Sequence, residues 1–316
     1  MILVAFGVRL AIAQEAGKNP LTQLSGSIRA LTSRVSPAVV EILVTGYSMD
    51  DGKGKAASEI SPQSSSGSGV IVDPTGYIMT NSHVVQGAVR VQVLIPSRPA
   101  PAGSPDDAPP AHTRSLDARI VGVDAESDLA LIRVDEAGLP TLRFGDSDAI
   151  HQGDLVFAIG SPMGLRNSVS MGVVAAAARA VSDDNPILYI QTDASINPGN
   201  SGGALVDTRG RLVGLNTFIV SRSGGSEGIG FAIPSNVVRS VYEQLKQKGR
   251  VSRGSVGLFV QDNGAVMAKG LSLATERGVV IADVEPAGPA EAAGLKRRDV
   301  ILTLNSRGLE NARQFR

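Results

Sequence analysis

From Leu21 the apolar positions Leu24, Ile28, Leu31 and Val35 recur at helical spacing, and Pro37 ends that pattern ahead of the strand-like run VVEILV. One amphipathic helix therefore leads into the body of the chain. Beyond it the pattern changes to alternating or short continuous apolar runs: GVIV, YIMT, VRVQVLI, ARIVGV, LALIRV, LVFAIG, SVSMGVV, ILYIQT, ALVD, LVGLNTFIV and GFAI, broken by Gly, Asp, Asn or Pro. About a dozen short strands predict a sandwich or barrels. Ala175 to Ala178 favour helix by propensity, but Gly172 and the β-branched Val169, Val173 and Val174 precede them and place them at a strand edge. The helical period returns after Pro234: Ser235 is the expected N-cap, Val237, Val238, Val241 and Leu245 share a face, and Gly249 terminates it. A second unit begins near Arg253, which sets the domain boundary at Lys248 to Ser252. Two stretches, Gly46 to Gly69 and the Pro-rich Ser97 to Ser115, hold too few apolar residues to pack as core and are expected to be mobile surface loops.

Composition narrows the chemistry. With 316 residues the chain is long enough for one large or two ordinary domains, and 36 Gly with 3% aromatic residues suit tight turns between strands. Thirty basic against thirty acidic side chains leave no electrostatic footprint for nucleic acid. Without Cys there is no disulfide, thiol nucleophile or thiolate site, and the three His, at 83, 112 and 151, lack metal-ligand spacing, so no metal or cofactor is expected. The opening MILVAFGVRLAIAQEAG is too short to span a bilayer. Residues 1–20 read either as the remnant of a secretory signal cleaved after Ala13 or as a frayed terminus.

The most informative stretch is Gly199, Asn200, Ser201, Gly202 and Gly203, after Asn197 and Pro198. A Ser on a Gly-rich turn exposes its hydroxyl and lets backbone N–H groups converge, as an oxyanion hole requires, although an ordinary Gly-rich hairpin has the same sequence. A nucleophilic Ser needs an imidazole base, and the imidazole needs a carboxylate. The α/β-hydrolase order, with His last, fails because no His follows Ser201. His112 lies in the Pro-rich stretch and His151 follows a polar turn. His83, between GYIMTN and Val84–Val85, is left, either as base or as a packed structural residue. Asp128 leads the run LALIRV, either as the acid or as a turn Asp capping a strand. The order His83, Asp128, Ser201 is that of chymotrypsin-like enzymes.

The segments TNSHVV, SDLALIRV and INPGNSGGAL, with SPAVVEI, GSGVIV, AIGSPMGL and GIGFAIPSN around them, resemble the HtrA (Deg) family of chymotrypsin-fold serine proteases from about Val35 to Arg316, apart from the insertion at Ser97 to Ser115. The resemblance implies an all-β domain of two six-stranded barrels over residues 21–248, with the site in the cleft between them, and a partial α+β PDZ domain over 253–316. It implies His83 as base, Asp128 as its orienter, Ser201 as nucleophile and the Gly199 and Ser201 N–H groups as oxyanion hole. Ser82 stands where Asn or Ala is common. Asn200 replaces the Asp of trypsin-type zymogens, so control falls to loops, with Ser182 to Pro186 and Ser221 to Gly228 as candidates. Ser195, six residues before the nucleophile, marks the base of the primary pocket. Ile196, Thr217, Phe218 and Ile219 are its expected walls, and Asn200 is a further expected substrate contact.

In the second unit, SVGL resembles the PDZ loop that receives a peptide carboxylate, here Val256, Gly257 and Leu258, and the strand beginning at Gly257 is expected to pair with the ligand. Arg298 stands where the family usually has Gly. The expected function is an ATP-independent endopeptidase acting on unfolded or damaged proteins in the bacterial periplasm or envelope, as a homotrimer or larger assembly through the Leu21 to Val35 helix, with C-terminal peptides as further partners. The alternative is a non-proteolytic peptide-binding or chaperone module.

Overall fold

The computed structural model describes residues 19–49, 60–96, 113–161, 168–181, 187–221 and 224–315. Residues 1–18, the expected mobile loop 182–186 and nearly all of the Pro-rich stretch lie outside these.

Helix α1 (Pro20–Val35) begins where the sequence provides a cap: the Asn19 side chain accepts from the Leu21 N–H at 2.9 Å and Pro20 opens the first turn. Its apolar stripe docks only at the far end, where Leu31 and Val35 are buried, while Leu21 and Leu24 are exposed. There follow β1 (Val39–Met49), β2 (Ile60–Asp73), β3 (Tyr77–Thr80), the single-turn α2 (Ser82–Val85), β4 (Ala88–Pro96), β5 (Thr113–Asp124) and β6 (Leu129–Val134), closed into a barrel in the order β1-β2-β3-β6-β5-β4. A second closed barrel, ordered β10-β11-β12-β9-β8-β7, comprises β7 (Leu155–Gly160), β8 (Ser168–Arg179), β9 (Tyr189–Thr192), β10 (Ala204–Asp207), β11 (Leu212–Ile219) and β12 (Gly230–Pro234). Ala175 to Ala178 lie within β8.

The expectation of a loop from Gly46 to Gly69 is corrected for most of its length. Ile60 to Gly69 form the first part of β2, paired residue by residue with β1 from Met49↔Ile60 to Val40↔Gly69. The ladder needs backbone alone, and small residues are required because neighbours press in: a Cβ on Gly67 would lie 2.7 Å from Val84, and one on Gly69 2.7 Å from Ile78. The small residues Gly67 to Gly69 record close approach, while Gln63 to Ser66 before them stay exposed.

Each barrel has its own interior, Ile42, Ile71, Ile78 and Ile132 in the first and Val156, Ile190, Leu205 and Val213 in the second. A third cluster joins them, drawing Val70, Met79 and Leu131 from the first, Ile159, Leu215 and Phe231 from the second, and Val35, Val238 and Leu245 from the helices. Burying this shared cluster fixes the barrels against each other. Helix α3 (Ser235–Lys248) closes the body and ends at Gly249, whose φ of 67° is the left-handed C-terminal geometry glycine supplies. Ser235 does not cap it as expected. Its hydroxyl donates to the Gly145 carbonyl at 3.1 Å, fastening the helix to the connection between β6 and β7 instead.

At its other end α3 is tied to the first barrel. Asp73 accepts from Lys246 Nζ at 2.6 Å and from the Tyr242 hydroxyl at 2.9 Å. Burial pushes the Asp73 carboxyl up, but the bonds from Lys246, Thr75 and Tyr242 outweigh it and hold it well below the usual range, while those from Asp73 and Tyr242 raise Lys246. A depressed acid stabilises the fold above its unfolded pKa of 3.8 and loses that contribution as pH falls through the folded value. A raised Lys contributes fully below 10.5 and fades as pH rises through its folded value. Melting temperature is therefore expected to drop more steeply between about pH 4 and 2 in wild type than in Asp73→Asn, with Asp73→Asn the less stable near neutrality. Parallel pH-resolved melts check this, and equal acid slopes count against it.

After α3 comes a smaller unit: β13 (Leu258–Asp262), α4 (Ala265–Leu271), β14 (Val279–Val284), α5 (Pro289–Ala292) and β15 (Val300–Ile301), with a three-stranded sheet ordered β13-β14-β15 over Val260, Val279, Ile281 and Leu309.

Candidate active site

His83 rides on α2, whose Val84 and Val85 are buried in the first barrel and set the ring's direction. Asp128 precedes β6 in the left-handed region, φ 54°, a conformation Asp tolerates better than most residues. It is held there by its own carbonyl, which accepts from the Ser82 N–H at 3.1 Å and from Asn81 Nδ2 at 3.0 Å. The carboxylate then meets donors from both barrels. Oδ1 accepts from Ser82 Oγ at 2.8 Å and from the His83 N–H at 3.1 Å. Oδ2 lies 2.8 Å from His83 Nδ1 and accepts from Thr217 Oγ1 at 3.0 Å. Burial pushes the Asp128 carboxyl up, but its interactions with His83 and the bond from Ser82 prevail and keep it below the usual range. An ionised Asp128 requires the proton on Nδ1, which leaves Nε2 with a lone pair to accept one.

Ser201 enters from the second barrel. Asn197 to Asn200 form a tight turn, closed by the Asn200 N–H donating to the Asn197 carbonyl at 2.9 Å, with Pro198 and then Gly199 at φ 99° in the corners, the type II sequence preference. The amides of Asn200, Gly202 and Gly203 are all bonded, to Asn197, Asn216 and Asn200 carbonyls. Those of Gly199 and Ser201 donate to no acceptor among the described residues. Two unspent N–H groups thus lie on either side of Asn200 in the nucleophile turn. The Ser201 hydroxyl donates to the Thr217 carbonyl at 2.8 Å rather than to the His83 ring. Thr217 thus touches both halves of the constellation, Ser201 through its carbonyl and Asp128 through its hydroxyl.

The other expected contacts fall differently. Ser195 is exposed, its carbonyl accepting from Ser170 Oγ at 2.8 Å. Asn200 is buried beneath the turn. Ile196 is sealed in the second barrel's interior against the position of Gly230. The Thr217 side chain is committed to Asp128, and the partly exposed Phe218 ring stacks on Phe231 at 5.0 Å and meets Tyr189 edge-on at 5.1 Å. Ile219 packs partly on the second barrel's interior. His151 is an exposed residue beside Asp154, and His112 lies outside the described residues. Of the expected mobile loop Ser221 to Gly228, Ser226 N–H donates to Asn197 Oδ1 at 3.0 Å, which ties it to the nucleophile turn. The hydroxyls of Thr217 and Ser82 on Asp128 were not anticipated from the sequence, and the only signal was the small polar residue beside His83.

Residues 67–215 match the family profile of the trypsin-like peptidase domain, and residues 218–316 that of the PDZ domain. Among solved structures, the HtrA-type protease AlgW with a tripeptide superposes with a TM-score of 0.71 at 39% identity, covering 91% of this chain and 86% of that one. AlgW with a decapeptide gives 0.69 at 37% identity, covering 90% and 87%. The chain belongs to the HtrA/Deg family of serine proteases. A probable periplasmic serine endoprotease DegP-like of Marinomonas sp. strain MWYL1 is 42% identical over 250 residues, 79% of this chain and 50% of that protein. The one from Hahella chejuensis is 37% identical over 316 aligned residues, 93% and 63%. The chain spans about half the length of the curated relatives it matches.

As in other HtrA/Deg chains, a PDZ unit follows the protease barrels, although the start of the PDZ match, Phe218 to Lys248, is built here into β11, β12 and α3 of the protease body. Of its carboxylate-loop candidates, Val256 and Leu258 line a cavity of about 670 Å³ with Val260, Ala290, Leu295 and Phe315, and Gly257 does not. Val256 is half exposed, Gly257 takes φ 72°, and Leu258 opens β13, whose one paired edge is toward β14. The Gly257 N–H already donates to Ser255 Oγ at 3.1 Å. Arg298 sits at φ 72°, which explains physically why Gly is usual there. Arg253, in the connection to the PDZ, grips the buried Asp124 with both guanidinium nitrogens at 2.8 and 2.5 Å, four residues before Asp128.

Proposed function

We propose that this chain is an ATP-independent serine endopeptidase that cuts unfolded or damaged proteins in the bacterial periplasm, with protease residues 21–248 and PDZ residues 253–316. The observation that carries the reading is the conjunction at Ser201: a carboxylate-bound imidazole from one barrel and, from the other, a hydroxyl on a turn with two unspent amides. Rotation of the Ser201 side chain from the Thr217 carbonyl toward His83 Nε2 readies attack on a substrate carbonyl. His83 takes the hydroxyl proton, Asp128 stabilises the imidazolium, and the Gly199 and Ser201 N–H groups receive the oxyanion. The imidazolium protonates the leaving amine, and water then releases the acyl group by the same route. The periplasmic names of the relatives support the location, and the peptides held by the solved relatives support unfolded polypeptide at the cleft and C-terminal peptides at Val256 to Leu258. Leu21 and Leu24, apolar and uncovered on α1, support a homotrimer or larger assembly. No nucleic-acid partner or cofactor enters the reading.

The Ser201 hydroxyl resting on Thr217 favours a second reading, a chaperone or peptide-binding module that holds chains without cutting. A fluorophosphonate probe separates them. Labelling of Ser201 that vanishes in Ser201→Ala supports the protease, and absence of labelling in assembled protein supports the binding module.

Cleavage is expected after small or medium aliphatic residues. Ser195 brings no charge to the pocket base, and the nearest carboxylate along the chain, Asp193, accepts from the Val173 N–H at 2.7 Å. A substrate Arg or Lys would bury its cation unpaired, at a cost of several kcal/mol. Mass-spectrometric mapping of cuts in an unfolded protein checks this, and a predominance of Arg and Lys, or of Phe and Tyr, before the scissile bond contradicts it.

A further inference from the structure

Ser68 lies in β2 of the first barrel, fully buried between Gly67 and Gly69, and takes no part in the chemistry described above. Its hydrogen bonds nonetheless lead across to the nucleophile turn. Its N–H donates to the Ser201 carbonyl at 2.8 Å and its hydroxyl donates to the Gly199 carbonyl at 2.6 Å. The same oxygen accepts from the Ser161 N–H at 2.9 Å, at the end of β7, and the Ser68 carbonyl accepts from Thr80 Oγ1 at 2.7 Å. One residue therefore holds the carbonyls on either side of Asn200 from the opposite barrel. The approach is close enough to dictate sequence: a Cβ on Gly202 would lie 2.1 Å from the Ser68 carbonyl oxygen.

From this geometry we infer that Ser68 is the positioning residue of the oxyanion hole, an inference that rests on the protease reading. A peptide group is planar, so fixing its carbonyl fixes the N–H across it. The 199–200 peptide is pinned at both ends, its carbonyl by Ser68 Oγ and its amide by the Asn197 carbonyl. The 201–202 peptide is pinned likewise, by the Ser68 N–H and the Asn216 carbonyl. Between them the 200–201 peptide, which carries the Ser201 N–H, has little freedom. The 198–199 peptide, which carries the Gly199 N–H, hinges on a glycine, and the neighbouring plane that Ser68 holds limits its rotation. Both unspent donors thus point where the first barrel sets them. The oxyanion site is whole only while the two barrels stay in register.

Ser68→Ala leaves the fold's backbone ladder intact and removes the grip on Gly199. With a peptide substrate carrying Val before the scissile bond, kcat is expected to fall on the order of 10- to 100-fold, less than deletion of an oxyanion donor outright, with KM within about threefold. The affinity for a peptidyl boronate of the same sequence, which forms a tetrahedral adduct with Ser201, is expected to fall by the same factor. Unchanged kcat in Ser68→Ala, or a fall in kcat with boronate affinity intact, overturns the inference. If Ser68→Ala does not fold, Thr80→Val loosens Ser68 from behind and is expected to show a smaller loss with the same split, and wild-type kcat and boronate affinity there also overturn it. Wild-type protein that cleaves alongside an equally active Ser68→Ala overturns this inference alone, whereas failure of both to cleave overturns the protease reading and this one with it.

Discussion

Casein cleavage is expected to disappear in Ser201→Ala and in His83→Ala, each by on the order of 10⁶ in kcat, the loss typical when a nucleophile or its base is removed from a triad that acts as one unit. Neither replacement threatens the fold. Ser201 Oγ has one bond, to the Thr217 carbonyl, and the turn around it is held by backbone amides and by Ser68. His83 is exposed, and α2 is anchored by the buried Val84 and Val85. The double variant is expected to be no slower than either single one, because what remains comes from binding and the two free amides, which both leave untouched. Initial-rate assays alongside melting curves check this. Cleavage within tenfold of wild type in either variant, with the fold intact, removes the assignment.

The fold was legible where side-chain period and punctuation agreed. The strand runs closed into two barrels, the capped and Gly-terminated helices lie where the periodicity put them, and the family resemblance supplied the order of assembly that periodicity cannot. Sequence failed where small polar residues serve contact instead of solvent. The run from Ser61 to Gly69 reads as loop by composition but is a strand whose glycines admit Val84 and Ile78. Ser235 reads as a cap but spends its hydroxyl on Gly145, ninety residues away. The candidate site shows the same division. The three chemically distinctive residues and their Gly-rich turn can be picked out one by one. Their supports, Thr217, Ser82 and Ser68, are hydroxyls whose partners lie 46 to 131 residues away, and a lone Ser or Thr carries no local mark of that. The side-chain directions of β11 were likewise hidden, because Thr217 and Phe218 leave the strand toward Asp128 and toward the aromatic cluster.

Asp128→Asn is expected to lower kcat by about 10⁴ at neutral pH while leaving the fold and substrate affinity nearly intact. The reason lies in which donors surround the carboxylate. Oδ1 accepts from the Ser82 hydroxyl and from the His83 backbone N–H, and Oδ2 from Thr217 and the imidazole. An amide offers one acceptor and one donor, so its orientation must be decided. Hydroxyls can turn and become acceptors, but the His83 backbone N–H cannot. The amide oxygen is therefore held on the His83 N–H side, and its NH₂ is left facing Nδ1. Nδ1 must then accept, which moves the ring proton to Nε2 and removes the lone pair that Ser201 needs. The loss follows from a wrong tautomer and not from a missing contact. Activity is accordingly expected to recover partly at high pH, where hydroxide removes a proton without His83, whereas Asp128→Ala, which fixes no tautomer and so keeps some rings with a free Nε2 lone pair, is expected to retain more activity at neutral pH and to show a shallower alkaline rise. A pH–rate profile of the two variants decides between them, and an Asp128→Asn enzyme within tenfold of wild type at neutral pH sinks the account of Asp128 as the group that fixes the base.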